Sequence, residues 1–267
     1  MPQPPVIRPH ESSFIELQSV DSTNNYARQQ IHAGLAQPGM AWFAHEQVAG
    51  KGQRGKIWQS EKNSTISLSV VIKPGLLSFQ LTGQFQLSAC VAVAVHDFFT
   101  KYAGDDTKIK WPNDLYWQDR KAGGILIESI VRSQESGGID DLSKSSGWSW
   151  AIIGIGINIT QAYFSPFLPN PVSLKQITGK SFEPLLLAKE LYKILLARLD
   201  ELSTNGFENI YAQYLQQLYK RNEIVKLKKD NRVFEARIKT ISPLGKLVVE
   251  HATEEEFNFG EVEWLFR

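Results

Sequence analysis

A mixed α/β domain followed by a small all-β segment is the architecture this sequence predicts, and three observations carry it. Ile66, Leu68, Val70 and Ile72 alternate with Ser67, Ser69 and Val71 at strand period, and Trp148 to Ile159 is almost continuously apolar, as a central strand requires. Leu81 to Ala103 is a long apolar run rich in alanine and valine, which reads as a buried helix. From about Arg221 the helical pattern gives way to short strands, with turns at Lys229-Asp230-Asn231 and Ser242-Pro243-Leu244-Gly245.

The remaining elements follow in chain order. Ser22 is placed to cap a short helix running to about Ile31, with Gly34 closing it. Met40 to His45 reads as a strand that leads into a glycine-rich loop. Ile109 to Trp117 reads as a strand edge broken by Pro112, Arg120-Lys121 as a turn, and Gly124 to Ile130 as a further strand. Residues 133–147, rich in Ser, Gly and Asp, read as a solvated loop. A proline-broken connector, Pro166 to Pro171, precedes a helix from Pro184 to about Leu202 that Asn205-Gly206 stops. A second amphipathic helix carries Phe207, Ile210, Tyr211, Tyr214, Leu215 and Leu218. The expected division is residues 14–220 and 221–267, the second unit being small for independent stability.

Bulk properties narrow the class. The chain has 267 residues, is 42% hydrophobic and 21% charged, and carries a net charge of +1. Whole-molecule attraction therefore gives no argument for DNA, RNA or membrane binding, and any cationic surface has to be local. The single cysteine, Cys90, lies within the apolar run Leu87 to Val95 and reads as a core residue. One cysteine forms no intrachain disulfide, which suits a reducing compartment. No signal-like apolar segment follows the proline-broken start, and a cytoplasmic enzyme is the expected class.

Chemistry concentrates in Gly50-Lys51-Gly52-Gln53-Arg54-Gly55-Lys56-Ile57-Trp58, where three glycines and three cations fall within nine residues. Glycines let backbone N–H groups turn inward, and with the cations they make an anion site for phosphate or carboxylate. Two further segments follow: Lys110-Trp111-Pro112-Asn113-Asp114 and Lys121-Ala122-Gly123-Gly124-Ile125-Leu126. Asp21-Ser22-Thr23-Asn24 precedes the loop, and Gly154-Ile155-Gly156-Ile157-Asn158 comes last.

In that order these segments resemble the biotin protein ligases, from about Phe14 to Arg267. The resemblance implies a sheet related to class II aminoacyl-tRNA synthetase folds plus a small C-terminal β-barrel. It also implies a two-step reaction. Biotin's carboxylate attacks the α-phosphate of ATP to give biotinyl-AMP and pyrophosphate. A lysine of a biotin carboxyl carrier domain then displaces AMP to form an amide. Joining two anions calls for positioning and charge neutralisation, with Mg²⁺ as the usual partner of ATP.

Site roles carry over residue by residue. Ser22, Thr23, Asn24 and Gln47 would hold the ureido ring, because hydroxyls and amides both donate and accept; Ser22 also reads as a plain helix cap. Gly50, Lys51, Lys121, Leu126, Gly154 and Gly156 would complete the biotin pocket, tight sheet packing being the alternative for the last two glycines. Lys51, Gly52, Gln53, Arg54, Gly55 and Lys56 would surround carboxylate and phosphate. Trp58 would lie against the adenylate or pack as core. Asn113 and Asn158 would recognise adenine, Lys110 would approach the phosphates, and Lys121 would contact both carboxylate and phosphate. Asp114 would bind Mg²⁺ or orient a lysine. The catalytic set is thus Lys121, Lys110, Arg54 and Asp114.

The family's usual pattern has arginine where Lys51 and Lys56 stand, so charge is kept and bidentate geometry lost. At Gln53 many relatives have arginine, linked to retention of the adenylate. The nearest alternative is a lipoate–protein ligase or octanoyl transferase of the same fold, but its Arg-Arg-x-Ser-Gly-Gly-Gly pattern is missing. A DNA-binding repressor is not expected, since the ligase-like region starts by about residue 14. Monomer and homodimer both stay open.

Overall fold

The structure, a computed structural model, describes residues 13–77, 83–131 and 148–265. Residues 133–147, read as a loop, lie outside the described residues. Twelve strands and five α-helices follow one another in the described chain. The first group comprises β1 (Phe14–Leu17), α1 (Thr23–His32), β2 (Ala41–Ala44), β3 (Thr65–Ile72) and α2 (Gln84–Ala103). Next come β4 (Thr107–Lys110), β5 (Asp114–Trp117), β6 (Arg120–Val131) and β7 (Trp148–Asn158). Three helices follow: α3 (Leu174–Thr178), α4 (Pro184–Asn205) and α5 (Glu208–Gln216). The chain closes with β8 (Ile224–Lys229), β9 (Arg232–Ile241), β10 (Leu247–Glu250), β11 (Glu254–Phe257) and β12 (Glu263–Leu265).

The first seven strands make one mixed sheet in the order β1-β2-β3-β7-β6-β5-β4, in which only the β1–β2 pair is parallel. β7 is central, hydrogen-bonded to β3 and β6 along almost its whole length. That accounts for its unbroken apolar pattern. One face carries Ile66, Leu68, Val70, Ile153, Ile155 and Ile157 into a core shared with α2 and α4. α2 is apolar nearly all round and correspondingly buried, from Leu87 to Phe99. Cys90 lies in that core, and burial pushes its thiol pKa up to about 12, so it stays an unreactive thiol. At one end of the opposite face, α1 packs Ala27 against Trp42, Val71 and Ile152. Hence every position of β3 is buried, although its sequence alternates.

Several sequence expectations shift by a few residues. The Ile109–Trp117 segment is a hairpin of β4 and β5, with Pro112 in the turn between them. β6 starts at Arg120 rather than Gly124 because Arg120 and Lys121 already pair with β5 across a bulge. The connector before α4 holds the short helix α3, closed at its start by a reciprocal Ser173–Gln176 capping box.

The last five strands form an antiparallel sheet in the order β11-β10-β9-β8-β12, running open from β11 to β12 among the described residues. Its buried residues Leu227, Ile238, Ile241, Leu247, Val249 and Phe257 are continuous with the main core. The indole of Trp111 donates to the Gly245 carbonyl at 2.9 Å, tying the turn before β5 to the small sheet. Among the described residues no helix is long and apolar enough to cross a membrane.

Candidate functional site

A cleft of about 1180 Å³ opens between the uncovered part of the large sheet, the glycine-rich loop and the small sheet. Pockets for a single small ligand run to roughly 300–1,000 Å³, so this cleft is larger than one such ligand requires. Strand register builds its floor. Ser67 lies opposite Gly156, Gly156 opposite Gly124, and Gly124 opposite Asp114; in the next row Ser69, Gly154 and Leu126 are aligned. Residues paired across strands share a face, so these positions make a shallow, small-residue floor.

Two groups stand on it. At the first, the Gln47 amide oxygen accepts from the Thr23 backbone N–H at 2.8 Å and from the Thr23 hydroxyl at 3.1 Å. Its nitrogen is thereby turned toward Ser67 Oγ, 3.4 Å away. Ser69 Oγ lies 2.7 Å from Thr23 Oγ1 and 2.6 Å from Asn24 Oδ1. Ser22 lies at the helix start with an extended backbone and buried, but its hydroxyl makes no capping bond. It lines the cleft instead, so the cap expectation is corrected: α1 starts on the Ser22 carbonyl, which accepts from Tyr26 N–H at 2.9 Å.

The second group is cationic. Lys121 Nζ donates to Asp114 Oδ1 at 2.7 Å, above Gly124. Lys110 is 9% exposed, with Nζ 5.3 Å from the Tyr116 ring centroid and 5.1 Å from that of Trp264. Burial pushes its pKa down to about 8; Asp114 opposes the shift, and the nearby charges of Lys121 and Lys56 add to it. Three ammonium groups therefore crowd one end of the cleft, an arrangement that an anion would relieve. Among the described residues no three His, Cys, Asp or Glu side chains come together as a metal cluster.

The glycine-rich loop is a hairpin. Trp58 N–H bonds the Gly50 carbonyl at 2.9 Å and Gly52 N–H bonds the Lys56 carbonyl at 2.7 Å. At its tip Arg54 and Gly55 both have left-handed backbone, φ 54° and 77°. This turn sends neighbouring side chains opposite ways. Gln53 Nε2 reaches the Ile125 carbonyl at 3.1 Å, on the floor. Arg54 turns to the small sheet, donating to the Gly260 carbonyl at 2.9 Å and lying 5.9 Å from the Phe259 ring centroid. Lys51 bonds the Asn25 side chain. So Lys56, Lys110 and Lys121 come together, while Arg54 and Lys51 line the cleft without joining them.

Trp58 lies on the floor, its ring filling the space over Gly156; a Cβ there would sit 2.6 Å from Trp58 Cε2. Gly154 is filled in the same way by Asn24, whose Oδ1 would meet a Cβ at 2.4 Å. Both glycines line the cleft, yet their small size serves protein side chains. Gly156→Ala should therefore displace Trp58 and cost about 1–3 kcal/mol, as overpacking does. Thermal denaturation checks this, and a melting temperature within 1 °C of the parent counts against it. Asn158 lines the cleft, its amide 3.2 Å from the Val172 carbonyl. Asn113 is buried, donates to the Ile125 carbonyl at 2.7 Å, and keeps an Oδ1 without a protein partner among the described residues.

Sequence reasoning missed Ser67, Ser69 and Glu128 on the large sheet, and Tyr116 and Trp264 around Lys110. The serines were visible as the polar half of an alternating strand. Trp264 gave no signal, because only the packing of the small sheet brings it to the cleft.

Comparison with known proteins places the chain in a family. The family model described as Biotin/lipoate A/B protein ligase family matches residues 16–139, and that described as Biotin protein ligase C terminal domain matches residues 222–264. A biotin–[acetyl-CoA-carboxylase] ligase of Paracoccus denitrificans is 30% identical over 208 residues, 74% of this chain and 78% of that protein. The bifunctional ligase/repressor BirA of Escherichia coli is 29% identical over 215 residues, 80% of this chain. The chain spans between 50% and 60% of the length of the BirA relatives it matches. In fold it is similar to the biotin protein ligase from Aquifex aeolicus, solved in complex with biotin and ATP. The TM-score is 0.76 at 23% identity, over 95% of this chain and 99% of that one. Matched along most of its length, the chain belongs to the biotin/lipoate A/B protein ligase family.

Proposed function

We propose that this chain activates biotin with ATP to biotinyl-5′-AMP and transfers the biotinyl group to a lysine of a biotin carboxyl carrier domain. The observation that carries the reading is one cleft holding two chemically distinct ends. The Thr23–Asn24–Gln47 network offers fixed donors and acceptors suited to a cyclic urea. The Lys56–Lys110–Lys121 end suits a carboxylate meeting a triphosphate, where most catalysis is positioning and charge neutralisation. In this reading biotin's ring meets the polar network and its carboxylate lies beside Lys121, both ends lining the one cleft. A lipoyl or octanoyl chain would leave the polar network unpaired, which costs affinity.

Asn158, which lines the cleft, and Asn113, which is buried between the lining residues Pro112 and Asp114 with its Oδ1 unpartnered among the described residues, are the proposed adenine contacts. Mg²⁺ fits as an ion carried by the phosphates. Such an ion needs only one or two carboxylates, and Asp114 is the carboxylate beside Lys121. The ion would neutralise phosphate charge, while Asp114 holds the Lys121 ammonium in place.

Purified protein with ATP and Mg²⁺ should exchange labelled pyrophosphate into ATP only when biotin is added. Equal exchange with lipoate, or none with either acid, overturns the reading.

Residue 53 offers a finer check. Gln53 is directed at the floor beside the cationic end, so a cation there would face the adenylate phosphate. Gln53→Arg should slow release of preformed biotinyl-AMP roughly fivefold, a screened charge contact of ~1 kcal/mol. An unaltered off-rate at both low and moderate salt shows that residue 53 does not meet the phosphate.

A further inference from the structure

The structure assigns Glu128 as a positioning residue that fixes which way Asn24 presents its amide, and so sets the acceptor that the ligand's ring N–H meets. The assignment rests on the biotin reading above. Asn24 Nδ2 donates to Glu128 Oε2 at 2.7 Å, and the other carboxylate oxygen of Glu128 is held by Arg28 Nη2 at 2.8 Å. Glu128 is on β6 and Arg28 on α1, so the pair spans the sheet and the helix that carries Asn24. An ionised carboxylate accepts and cannot donate. Facing it, the Asn24 amide has only one satisfactory orientation, nitrogen toward Glu128 and oxygen away.

The oxygen side faces the Ser69 hydroxyl, a group that accepts as well as donates, so the orientation is set by Glu128 alone. Asn24 Oδ1 accepts from Ser69 Oγ at 2.6 Å and lies over Gly154, on the floor of the cleft. Asn24 is 3% exposed, so a flipped amide would turn its nitrogen onto the Ser69 hydroxyl and its oxygen onto a carboxylate. Two oxygens facing each other with no hydrogen between them is the costly arrangement that Glu128 excludes. A carbonyl oxygen has two lone pairs, and Ser69 uses one. What Asn24 offers a ligand is therefore an acceptor, matched to an N–H. The cyclic urea of biotin carries two such groups, whereas a carboxylic acid with a simple alkyl or dithiolane end carries none. Specificity of this kind is strong, because a ligand lacking the donor leaves a buried acceptor unpaired.

The test is a double-mutant cycle read as biotin affinity by calorimetry, with ATP affinity and melting temperature measured on the same proteins. Glu128→Gln keeps the shape but supplies either a donor or an acceptor, so Asn24 is no longer held one way. It should weaken biotin roughly tenfold, in the range for a misoriented buried hydrogen bond, and leave ATP affinity within twofold. Because Glu128 acts through Asn24, Asn24→Ala/Glu128→Gln should bind biotin as Asn24→Ala does, within twofold. Arg28→Met, which leaves the carboxylate in place, should weaken biotin less than Glu128→Gln, and it stands in for that variant should Glu128→Gln fail to fold. Independent, multiplicative losses in the double variant overturn the assignment, as does an equal loss of biotin and ATP affinity in Glu128→Gln, or no loss at all. A parent protein that binds ATP but not biotin overturns the biotin reading itself, and this assignment with it.

Discussion

Lys121→Ala is expected to lower biotin-dependent pyrophosphate exchange roughly 10²–10³-fold at saturating substrates, the usual cost of losing one fixed charge aimed at a developing anion. The expectation comes from place and restraint together. Lys121 sits on β6 next to the small-residue floor, its backbone N–H bonded to the Asn170 carbonyl and its carbonyl accepting from Val172 N–H. The side chain is fixed by Asp114 at 2.7 Å. Truncation leaves the backbone pairing untouched, so the melting temperature should stay within a few degrees. It also leaves Asp114 without its closest cation, and a bare carboxylate would repel the substrate's charges. Asp114→Asn separates the effects: it retains the ammonium and loses only its anchor, and should cost roughly tenfold or less. If Lys121→Ala loses less than threefold, or if Asp114→Asn is the more damaging change, the ammonium is not the group that meets the reacting anions.

The sequence made the sheet legible where one physical pattern dominated. Trp148–Asn158 reads as a central strand from its almost continuous apolar run, and it is hydrogen-bonded to a neighbouring strand on both edges. The alternation in Thr65–Ile72 gave the strand but misled on its environment. Ser67 and Ser69 look solvent-facing in such a pattern, and here they are buried beneath the cleft. Polar residues at period two show that one face differs, and only the fold tells whether water or a ligand lies there. The glycine-rich loop announced an anion site, yet the direction of its cations was not legible. Consecutive left-handed residues at Arg54 and Gly55 send Arg54 toward Gly260 and Gln53 toward the floor. For a non-glycine residue that conformation is uncommon and is imposed by surroundings. Glu128 lay two residues beyond Leu126 in the same strand, hence on the same face, and was passed over because an acidic strand residue ordinarily faces solvent.

Lys110 should be a residue that the fold tolerates at a cost to its own stability. Burial pushes its pKa down to about 8 from 10.5, whereas in the unfolded chain the ammonium keeps its proton to the higher value. Below pH 8 both states are protonated and the folded protein carries the full desolvation penalty. Between pH 8 and 10.5 the unfolded chain binds more protons, so this group makes stability rise with pH. The gap corresponds to about 3 kcal/mol. Replacing the ammonium with an apolar side chain of similar length relieves that penalty and forfeits the contacts of the lysine, among them those with the Tyr116 and Trp264 rings, worth about 1–2 kcal/mol. Lys110→Met is therefore expected to be more stable than the parent at pH 7 by ~1–2 kcal/mol, a melting temperature several degrees higher. The advantage should narrow as pH rises through 8 to 10.5, since the parent sheds its penalty there. The same variant should lose roughly 10²–10³ in adenylate formation. In the parent, kcat/KM for ATP should fall as pH passes about 8 and the free protein loses this charge. Melting curves of both proteins at pH 7 and pH 9.5, set beside pyrophosphate exchange, decide it. A variant less stable than the parent at pH 7, or a stability difference that does not change with pH, would show that Lys110 is held by contacts stronger than the cost of burying it.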